Sequence, residues 1–353
     1  MAVVADDHRR DLPDGDRCEA PRQGRTDRRD GERGLSFGDD LKQRIRDRGP
    51  ISVEAYMAAC NAHYYATRDP LGADGDFTTA PEIHQMFGEM VGACLADCWH
   101  RAGRGDAIYA ELGPGRGTLT ADALRVIGNI ETHLVETSPA LRAAQQSRLP
   151  NAIFHDSIAQ LPPRPLLLVA NEFLDALPVR QWIGDEQRLV GLSGDDLAFT
   201  ANGMIVETSP ARDAAVRAIA AHLAHHGGVA LIIDYGHATS APGDTLQAVN
   251  AHLFADPLAN PGEQDLTAHV DFEALADSAQ ADGAAVTSIA NQGAFLTKLG
   301  IVQRAESLSR ANPDRADEVA SALTRLTDPA AMGDLFKVIA IHSTDWPTPA
   351  GFE

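Results

Sequence analysis

A glycine-rich turn between a predicted strand and a predicted helix is the part of this sequence best suited to bind a ligand. The turn follows an apolar run, precedes a helix-like run from 118 to 127, and reads Glu111-Leu112-Gly113-Pro114-Gly115-Arg116-Gly117. Glycines at alternate positions let the backbone turn sharply and approach a ligand closely, because no Cβ stands in the way. The helix that follows presents free N–H groups and the positive end of its dipole to an anion. The sequence therefore predicts a nucleotide-type cofactor site on a doubly wound sheet.

The spacing of these glycines separates two classes of cofactor. The dinucleotide fingerprint is G-x-G-x-x-G, whereas Gly117 comes one residue early and Thr118 takes the expected place. A dehydrogenase is therefore the weakest interpretation. The pattern Glu-x-Gly-x-Gly-x-Gly resembles motif I of the class I S-adenosylmethionine-dependent methyltransferases. That resemblance implies a role in cofactor binding for Glu111, Gly113, Gly115 and Gly117. A helix N-terminus suits a carboxylate as well as a pyrophosphate, so geometry alone leaves both cofactors open.

Acidic residues also follow the next two predicted strands. Glu136 ends the run from 131 to 135, and a carboxylate there can accept hydrogen bonds from both ribose hydroxyls. Asp156-Ser157 ends a short strand that begins at residue 152, and the resemblance to class I methyltransferases places Asp156 against the adenine amino group. The alternative is that Glu136 and Asp156 only cap the helices after them.

The fourth predicted strand, residues 166–170, is an unbroken apolar run and ends at Asn171-Glu172. Such a run is typical of a strand buried on both faces. We assign Asn171 and Ser157 to the cofactor pocket, together with Thr79, Pro81 and Glu82 from an earlier segment. Acids at three successive strand ends favour an adenosyl cofactor more strongly than the glycine turn does alone.

Composition excludes several functional classes. The chain has 353 residues, of which 44% are hydrophobic and 23% charged, as in ordinary globular proteins. Its net charge of −20 repels phosphate backbones, so nucleic-acid binding is not expected. No apolar run is long enough to span a bilayer, and neither a signal nor a transit peptide is recognised. We expect a cytoplasmic enzyme of bacterial type. The four cysteines have no zinc spacing, so no metal site is predicted, and we expect Cys60, Cys94 and Cys98 to be buried thiols.

The order of predicted elements indicates an α/β fold with a doubly wound, seven-stranded, mostly parallel sheet. A polar tail at residues 1–35 is predicted to be disordered because it holds too few apolar residues to fold. A helical extension is expected at 36–105 and the main domain at 106–345. Within the extension we predict helices at 39–48, 52–62 and 82–101, with a polar loop from 63 to 81. Within the main domain we predict a small β insertion at about 179–205, a long functional loop at about 237–269, and strands at 229–233, 285–289 and 335–342, the last two forming an antiparallel edge.

Four longer motifs narrow the resemblance to one family. They lie in order along the chain: Gly75-Asp76-Phe77-Thr78-Thr79-Ala80-Pro81-Glu82, Asn171-Glu172-Phe173-Leu174-Asp175-Ala176-Leu177-Pro178, Gly262-Glu263-Gln264-Asp265-Leu266-Thr267-Ala268-His269-Val270-Asp271-Phe272, and Met332-Gly333-Asp334-Leu335-Phe336-Lys337-Val338. Together they resemble the MidA family, which includes a mitochondrial complex I assembly factor that methylates an arginine. The resemblance covers residues 37–345 approximately.

This resemblance implies a Rossmann-like class I methyltransferase fold, S-adenosyl-L-methionine as cofactor and S-adenosyl-L-homocysteine as product. It suggests N-methylation of an accessible arginine in a protein, such as a complex I subunit. Two other functions stay open: methylation of a small molecule or another side chain, and a non-catalytic assembly role that retains the fold. A dimer is compatible with the sequence, which does not determine the oligomeric state.

Arginine methylation needs carboxylates, because the guanidinium is protonated at physiological pH and is then a poor nucleophile. Carboxylates can grip it bidentately, offset its charge and take the released proton. Glu172 is the leading candidate because it follows the fourth strand; Asp175, Asp76 and Glu82 come next. The alternatives are that Glu172 shapes the cofactor pocket, Asp175 and Asp76 belong to turns, and Glu82 starts a helix.

Overall fold

The computed structural model describes residues 36–67, 79–250 and 253–352. The predicted tail at 1–35 and the predicted catalytic residue Asp76 lie outside the described residues. The helices are α1 (Phe37–Arg48), α2 (Val53–Thr67), α3 (Ala80–Ile83), α4 (Met86–Arg101), α5 (Thr118–Ile127), α6 (Pro139–Arg148), α7 (Pro210–His226), α8 (Phe272–Ala281), α9 (Gln292–Lys298), α10 (Ile301–Ala311) and α11 (Ala316–Thr327). The strands are β1 (Ile51–Ser52), β2 (Ile108–Leu112), β3 (Thr132–Val135), β4 (Ile153–His155), β5 (Leu166–Asn171), β6 (Arg180–Ile183), β7 (Glu186–Gln187), β8 (Leu189–Ser193), β9 (Asp196–Phe199), β10 (Val206–Thr208), β11 (Gly228–His237), β12 (Gln247–Asn250), β13 (Leu253–Ala255), β14 (Asp265–Thr267), β15 (Val270–Asp271), β16 (Ala285–Val286), β17 (Ala290–Asn291) and β18 (Phe336–His342).

A mostly parallel sheet forms the centre of the molecule, with strand order β16-β18-β11-β5-β2-β3-β4. Strands β2, β3, β4, β5 and β11 are parallel, whereas β18 runs antiparallel to both β11 and β16. The doubly wound α/β prediction is confirmed. The predicted antiparallel edge is confirmed, because β16 and β18 pair antiparallel at one edge of the sheet. The predicted strand 285–289 is shorter than expected, since β16 ends at Val286. A separate strand, β17, follows at Ala290–Asn291, and the two strands pair with opposite ends of β18.

Alternate residues of the central strands pack against two helical layers. Tyr109 and Val169 face one layer, formed by α4, α5 and α9 to α11, whereas Ile108 and Leu168 face the other, formed by α7 and α8. Both β2 and β5 are buried along their whole length, as the apolar runs in the sequence predicted. Such two-sided burial fixes the strand ends, where the candidate site lies.

The N-terminal extension packs on the β insertion rather than standing alone. Side chains from α1 and α2, such as Leu41 and Met57, share one apolar cluster with Val190 and Leu266. Strand β1 pairs antiparallel with β8, so that Ile51 lies opposite Val190. Two boundaries in this region need correction. Helix α2 continues to Thr67 instead of ending near residue 62, and an extended His84 and a turn at residue 85 divide the predicted helix 82–101 into α3 and α4.

The β insertion predicted at about 179–205 extends to Thr208 and forms parts of two small sheets, β1-β8-β9 and β10-β6-β7. The loop predicted at about 237–269 must be corrected, because it contains the three-stranded sheet β13-β12-β14. Strands of three or four residues are too short to show a clear periodicity in sequence, and prolines between them favoured a loop prediction.

Candidate functional site at the strand ends

The glycine turn between β2 and α5 has the backbone conformation that its sequence predicted. Gly113, Gly115 and Gly117 have φ angles of 60°, 53° and 75°, which is the left-handed region that L side chains disfavour. A Cβ added to Gly113 would also lie 2.9 Å from the Phe173 ring. Gly117 carries no side chain to cap α5. The turn can therefore bring its main chain and the start of α5 close to an anionic group.

Glu111 lies beneath this turn and is engaged within the protein. Its buried carboxylate accepts hydrogen bonds from the Tyr109 hydroxyl at 3.1 Å and from both the hydroxyl and the main-chain N–H of Thr120. Burial raises the pKa of Glu111 from 4.5 to about 7, although these three donors favour the ionised form. The contacts tie the end of β2 to the first turn of α5. The predicted contact of Glu111 with a cofactor stays a prediction.

Glu136, at the end of β3, lies beside the glycine turn. One carboxylate oxygen accepts the Ser138 N–H at 2.7 Å, and the other lies 3.4 Å from the side-chain nitrogen of Gln145. The same nitrogen donates to the Gly115 carbonyl at 2.6 Å, so Gln145 links the turn to Glu136. Because Ser138 is the N-cap residue of α6, this contact agrees with the alternative that Glu136 caps the following helix. It leaves the ribose role of Glu136 as a prediction.

Asp156 lies further out, at the end of β4. Its side chain is 70% exposed and accepts a hydrogen bond from Arg142 at 2.6 Å. Arg142 also donates to the carbonyls of Glu136 and His155 at 2.6 and 2.8 Å, and so holds the ends of β3 and β4 together. Ser157 is exposed beside Asp156 and starts a short 3-10 turn. The adenine contact assigned to Asp156 stays a prediction.

The end of β5 meets the segment that precedes α4. Glu172 has a left-handed φ of 50°, which is uncommon for a residue other than glycine. Its carboxylate accepts the Ala80 N–H at 3.3 Å and the Asn171 side-chain N–H at 3.1 Å. Burial, and secondly the nearby Asp175, raise the pKa of Glu172 to about 8. Backbone strain of this kind tends to occur where a side chain must be aimed at a ligand.

The segment from Thr79 to Glu82 contacts the start of α5 and the residue after β5. Thr79 precedes the short helix α3, in which Pro81 is buried. Glu82 accepts a hydrogen bond of 2.6 Å from the hydroxyl of Thr118, the first residue of α5. The structure therefore brings together this segment, the glycine turn and the end of β5. The sequence analysis assigned residues of all three to one cofactor pocket.

Two buried acceptors test whether an adenosyl cofactor fits here. The side-chain oxygens of Asn171 and Gln145 are buried and have no hydrogen-bond partner among the residues that the structure describes. Buried amide oxygens are normally satisfied, so both are available to a ligand with hydroxyl or amino donors. With the glycine turn, they provide a surface that matches a cofactor carrying an amino acid, a sugar and a base.

Beside Glu172, the ends of β5 and β11 hold a second group of acids. Buried Asp234 accepts main-chain N–H groups from Leu174, Asp175 and Tyr235 at 2.9–3.2 Å. Asp175 is buried and accepts a hydrogen bond from the Tyr235 hydroxyl. Burial raises the pKa of Asp175. Asp175 and Glu172 therefore lie in one group, as predicted for an acceptor site.

The sheet containing β14 and the end of α2 supply the remaining residues of this group. Buried Asp265 accepts a hydrogen bond of 2.8 Å from the Tyr65 hydroxyl, and the Tyr235 hydroxyl also contacts Thr267. Burial raises the pKa of both tyrosines above its ordinary range, and nearby Asp175 and Asp265 raise it further. Glu172, Tyr65 and Tyr235 are only half-buried, so the group is reachable from solvent. We call these five residues the acidic pocket: Glu172, Asp175, Asp265, Tyr65 and Tyr235.

Sequence reasoning missed part of this pocket. Asp234-Tyr235 ends a buried apolar run, which is the signal that identified Glu172, and Asp265 lies inside one of the four family motifs. Both could have been found. Tyr65 lies in the last turn of α2, beyond residue 62, where the predicted helix ended. No sequence signal marks Tyr65 as part of the site.

Among residues 36–67, 79–250 and 253–352 no group of three or more His, Cys, Asp or Glu side chains could hold a metal ion. Within the same ranges no helix is long and apolar enough to cross a membrane. Cys60, Cys94 and Cys98 are buried free thiols, as predicted.

Comparison with known proteins identifies related chains. A family model of S-adenosyl-L-methionine-dependent methyltransferases matches residues 90–201 and 192–290. The mitochondrial protein arginine methyltransferase NDUFAF7 homolog of Drosophila melanogaster is 33% identical over 87% of this chain and 84% of its own length. The Xenopus tropicalis mitochondrial protein arginine methyltransferase NDUFAF7 is 31% identical, over 88% and 87% respectively. A Burkholderia thailandensis methyl transferase structure bound to S-adenosyl-homocysteine superposes with a TM-score of 0.79 at 27% identity, covering 89% of this chain and 93% of that one.

Proposed function

The chain belongs to the MidA family of S-adenosyl-L-methionine-dependent methyltransferases, and we propose that it methylates an arginine side chain of a protein. The observation that carries this proposal is the acidic pocket beside the cofactor site. Three carboxylates and two tyrosine hydroxyls converge there, with Asp175 and Asp265 buried and the other three residues half-buried. A guanidinium matches such a pocket in charge and in its planar array of N–H donors.

The three carboxylates of the acidic pocket each have a task in this proposal. The cofactor supplies an electrophilic methyl group on a sulfonium. Asp175 and Asp265 bind the guanidinium and hold its reacting nitrogen in line with that group, which removes much of the entropic barrier. Glu172 accepts the proton that leaves the nitrogen when the new N–C bond forms. Its pKa of about 8 suits this role, because a base is most effective near the working pH.

The residues proposed to hold the cofactor surround the glycine turn. The N-terminus of α5 would receive the carboxylate of the methionine part, with Gly113, Gly115 and Gly117 allowing close approach. Glu136 and Asp156 would bind the ribose and adenine, with Asn171 and Ser157 beside them. The segment containing Thr79, Pro81 and Glu82 would close over the turn. Glu111 would act beneath it by holding β2 to α5.

The family resemblance further suggests a respiratory complex I-type subunit as the acceptor protein. The curated relatives named above are mitochondrial, so the expected cytoplasmic location stays a prediction for this chain. A homodimer likewise stays a prediction.

Two measurements test the function. Calorimetry with S-adenosyl-L-homocysteine should detect binding to the wild type, and Gly115→Val should abolish it because valine cannot adopt the φ of 53° without strain. The protein, methyl-labelled cofactor and a lysate of the source cell lacking this protein should then yield labelled methylarginine after hydrolysis of the protein fraction.

A Glu172→Gln variant separates catalysis from a structural role. It should bind the cofactor product normally and lose about 10²–10⁴-fold in methyl transfer, which is the usual contribution of a general base. Label confined to the small-molecule fraction would favour a different acceptor. Full support of the cellular role by a folded, inactive Glu172→Gln protein would favour the non-catalytic alternative.

A further inference from the structure

A buried arginine on the far side of the acidic pocket has no assigned role. Arg212 lies in the first turn of α7 and is 5% exposed. A cation is unfavourable there, because the N-terminal end of a helix carries the positive end of its dipole and because burial removes the cation from water. Strong local contacts must therefore stabilise it.

These contacts are hydrogen bonds to main-chain carbonyls. The guanidinium of Arg212 donates four of them: to Leu174 at 2.7 Å, Asp175 at 3.1 Å, Ala268 at 2.8 Å and His269 at 2.6 Å. Two acceptors lie in the turn after β5, and two lie in the turn between β14 and β15. One side chain thus joins two segments that are nearly a hundred residues apart in sequence.

Both segments carry acids of the acidic pocket. Asp175 belongs to the first, and Asp265, in β14, lies three and four residues before the two carbonyls of the second. The Ala268 N–H donates to the Asp175 carbonyl at 3.1 Å, and Asn61 of α2 bonds the carbonyls of Ala176 and Leu266 from the opposite side. The separation of the two carboxylates therefore depends on this junction.

The charges around Arg212 connect it to the same acids. Asp234 on β11, Asp175 after β5, Glu207 on β10 and Tyr235 all face it. Asp175 also faces the hydroxyl of Tyr235. Burial, and secondly the negative charge of Asp175, raise the pKa of both Glu172 and Asp234. The guanidinium favours the ionised form of Asp175 and lowers its pKa against the raising effect of burial.

We propose that Arg212 is a positioning residue, which sets the spacing of Asp175 and Asp265 and places a positive charge beside Asp175 in the site for an acceptor cation. The inference rests on the proposed arginine methylation. It predicts that Arg212 acts on the acceptor side and leaves cofactor binding unchanged, because its contacts avoid the glycine turn.

The experiment compares Arg212→Met and Arg212→Lys with the wild type. Arg217→Met is the matched control, since Arg217 lies on the same helix, is half exposed and forms an ion pair of 2.7 Å with Asp282. Affinity for S-adenosyl-L-homocysteine is measured by calorimetry. The initial rate of label transfer into lysate protein arginine gives activity, and ¹³C NMR of the Asp175 carboxyl, assigned with Asp175→Asn, gives its titration.

In Arg212→Met we expect unchanged product affinity within about twofold, a transfer rate lower by about 100-fold and titration of Asp175 at higher pH. Lysine has three donors and keeps the charge, so Arg212→Lys should restore the titration and recover part of the rate. Arg217→Met should match the wild type in all three measurements.

A folded Arg212→Met protein with the wild-type rate and the wild-type Asp175 titration would overturn the inference. Equal losses of product affinity and rate would also overturn it, because they indicate general damage. If Arg212→Met does not fold, Arg212→Lys decides. A lower transfer rate with unchanged product affinity in Arg212→Lys supports the inference. An unchanged transfer rate in Arg212→Lys overturns the inference. If the wild type labels no arginine, the proposed function fails, and the Asp175 titration in Arg212→Met against Arg217→Met decides the inference alone.

Discussion

Replacing Glu111 by glutamine should change how the stability of this protein depends on pH. The Glu111 carboxyl is 3% exposed, and burial raises its pKa from 4.5 to about 7. Between these two values the folded state keeps the proton of Glu111, whereas the unfolded state has lost it. The free energy of unfolding therefore falls as pH rises, with the contribution of Glu111 complete below pH 4.5 and lost on passing pH 7.

The magnitude follows from the same two pKa values. At 1.36 kcal/mol per pH unit, their difference corresponds to about 3 kcal/mol of unfolding free energy. Glutamine has the same shape but does not titrate in this range. It loses some hydrogen bonding with Tyr109 and Thr120, and this loss is the same at every pH. The stability gap between wild type and Glu111→Gln should therefore change by about 3 kcal/mol, in favour of the variant, between pH 5 and pH 9.

Urea denaturation of both proteins at pH 5, 7 and 9 measures this gap. Taking the difference at each pH cancels the contributions of other titrating groups, including Glu172. Glu186→Gln is the matched control, because Glu186 is exposed on β7, and its gap should stay constant. A gap for Glu111→Gln that varies by less than about 1 kcal/mol would show that burial does not hold the proton on this carboxyl.

Three further predictions concern the strands and the site. Gly228→Ala should lower the free energy of unfolding, measured by urea denaturation, by about 1–3 kcal/mol. The reason is that φ is 119° at Gly228 and the new Cβ would lie 2.3 Å from the Leu166 carbonyl oxygen. Unchanged stability would contradict this close packing of β11 against β5. Gln145→Ala should weaken S-adenosyl-L-homocysteine binding by about tenfold in calorimetry, since a link between the glycine turn and the β3 end is lost; equal affinity would exclude that role. The kcat/KM for methyl transfer should rise with pH towards a plateau above about 8 as Glu172 ionises, and Asp175→Asn should shift this rise to lower pH because a neighbouring negative charge is gone. A rise at the same pH in Asp175→Asn would show that the two acids do not interact.

The glycine turn and the central parallel strands could be predicted well from sequence because their signals are local. Strands β3 and β5 are buried, and a polar residue stands at or directly after the end of each, namely Glu136 and Asn171. The positive φ of Gly113 could likewise be predicted, because glycine is the residue that most readily adopts it. No long-range information is needed for any of these features.

The acidic pocket could be predicted only in part because its contacts are long-range. Tyr65 reaches Asp265, and Arg212 reaches the carbonyl of His269, across separations that no local pattern encodes. Strands β12 to β14 are similarly short and stabilised by pairing with each other. Asp175 was identified through the family motif, whereas the contacts that hold it required the fold.

The pairing of β1 with β8 has a consequence for how the chain is made. Ile51 emerges from the ribosome roughly 140 residues before its partner Val190. At a synthesis rate of about 5–20 residues per second, the interval is about 7–28 s. During that time the apolar sides of α1 and α2 lack the surface that later covers them. The nascent N-terminal segment therefore keeps an exposed apolar face until more than half of the chain has been made.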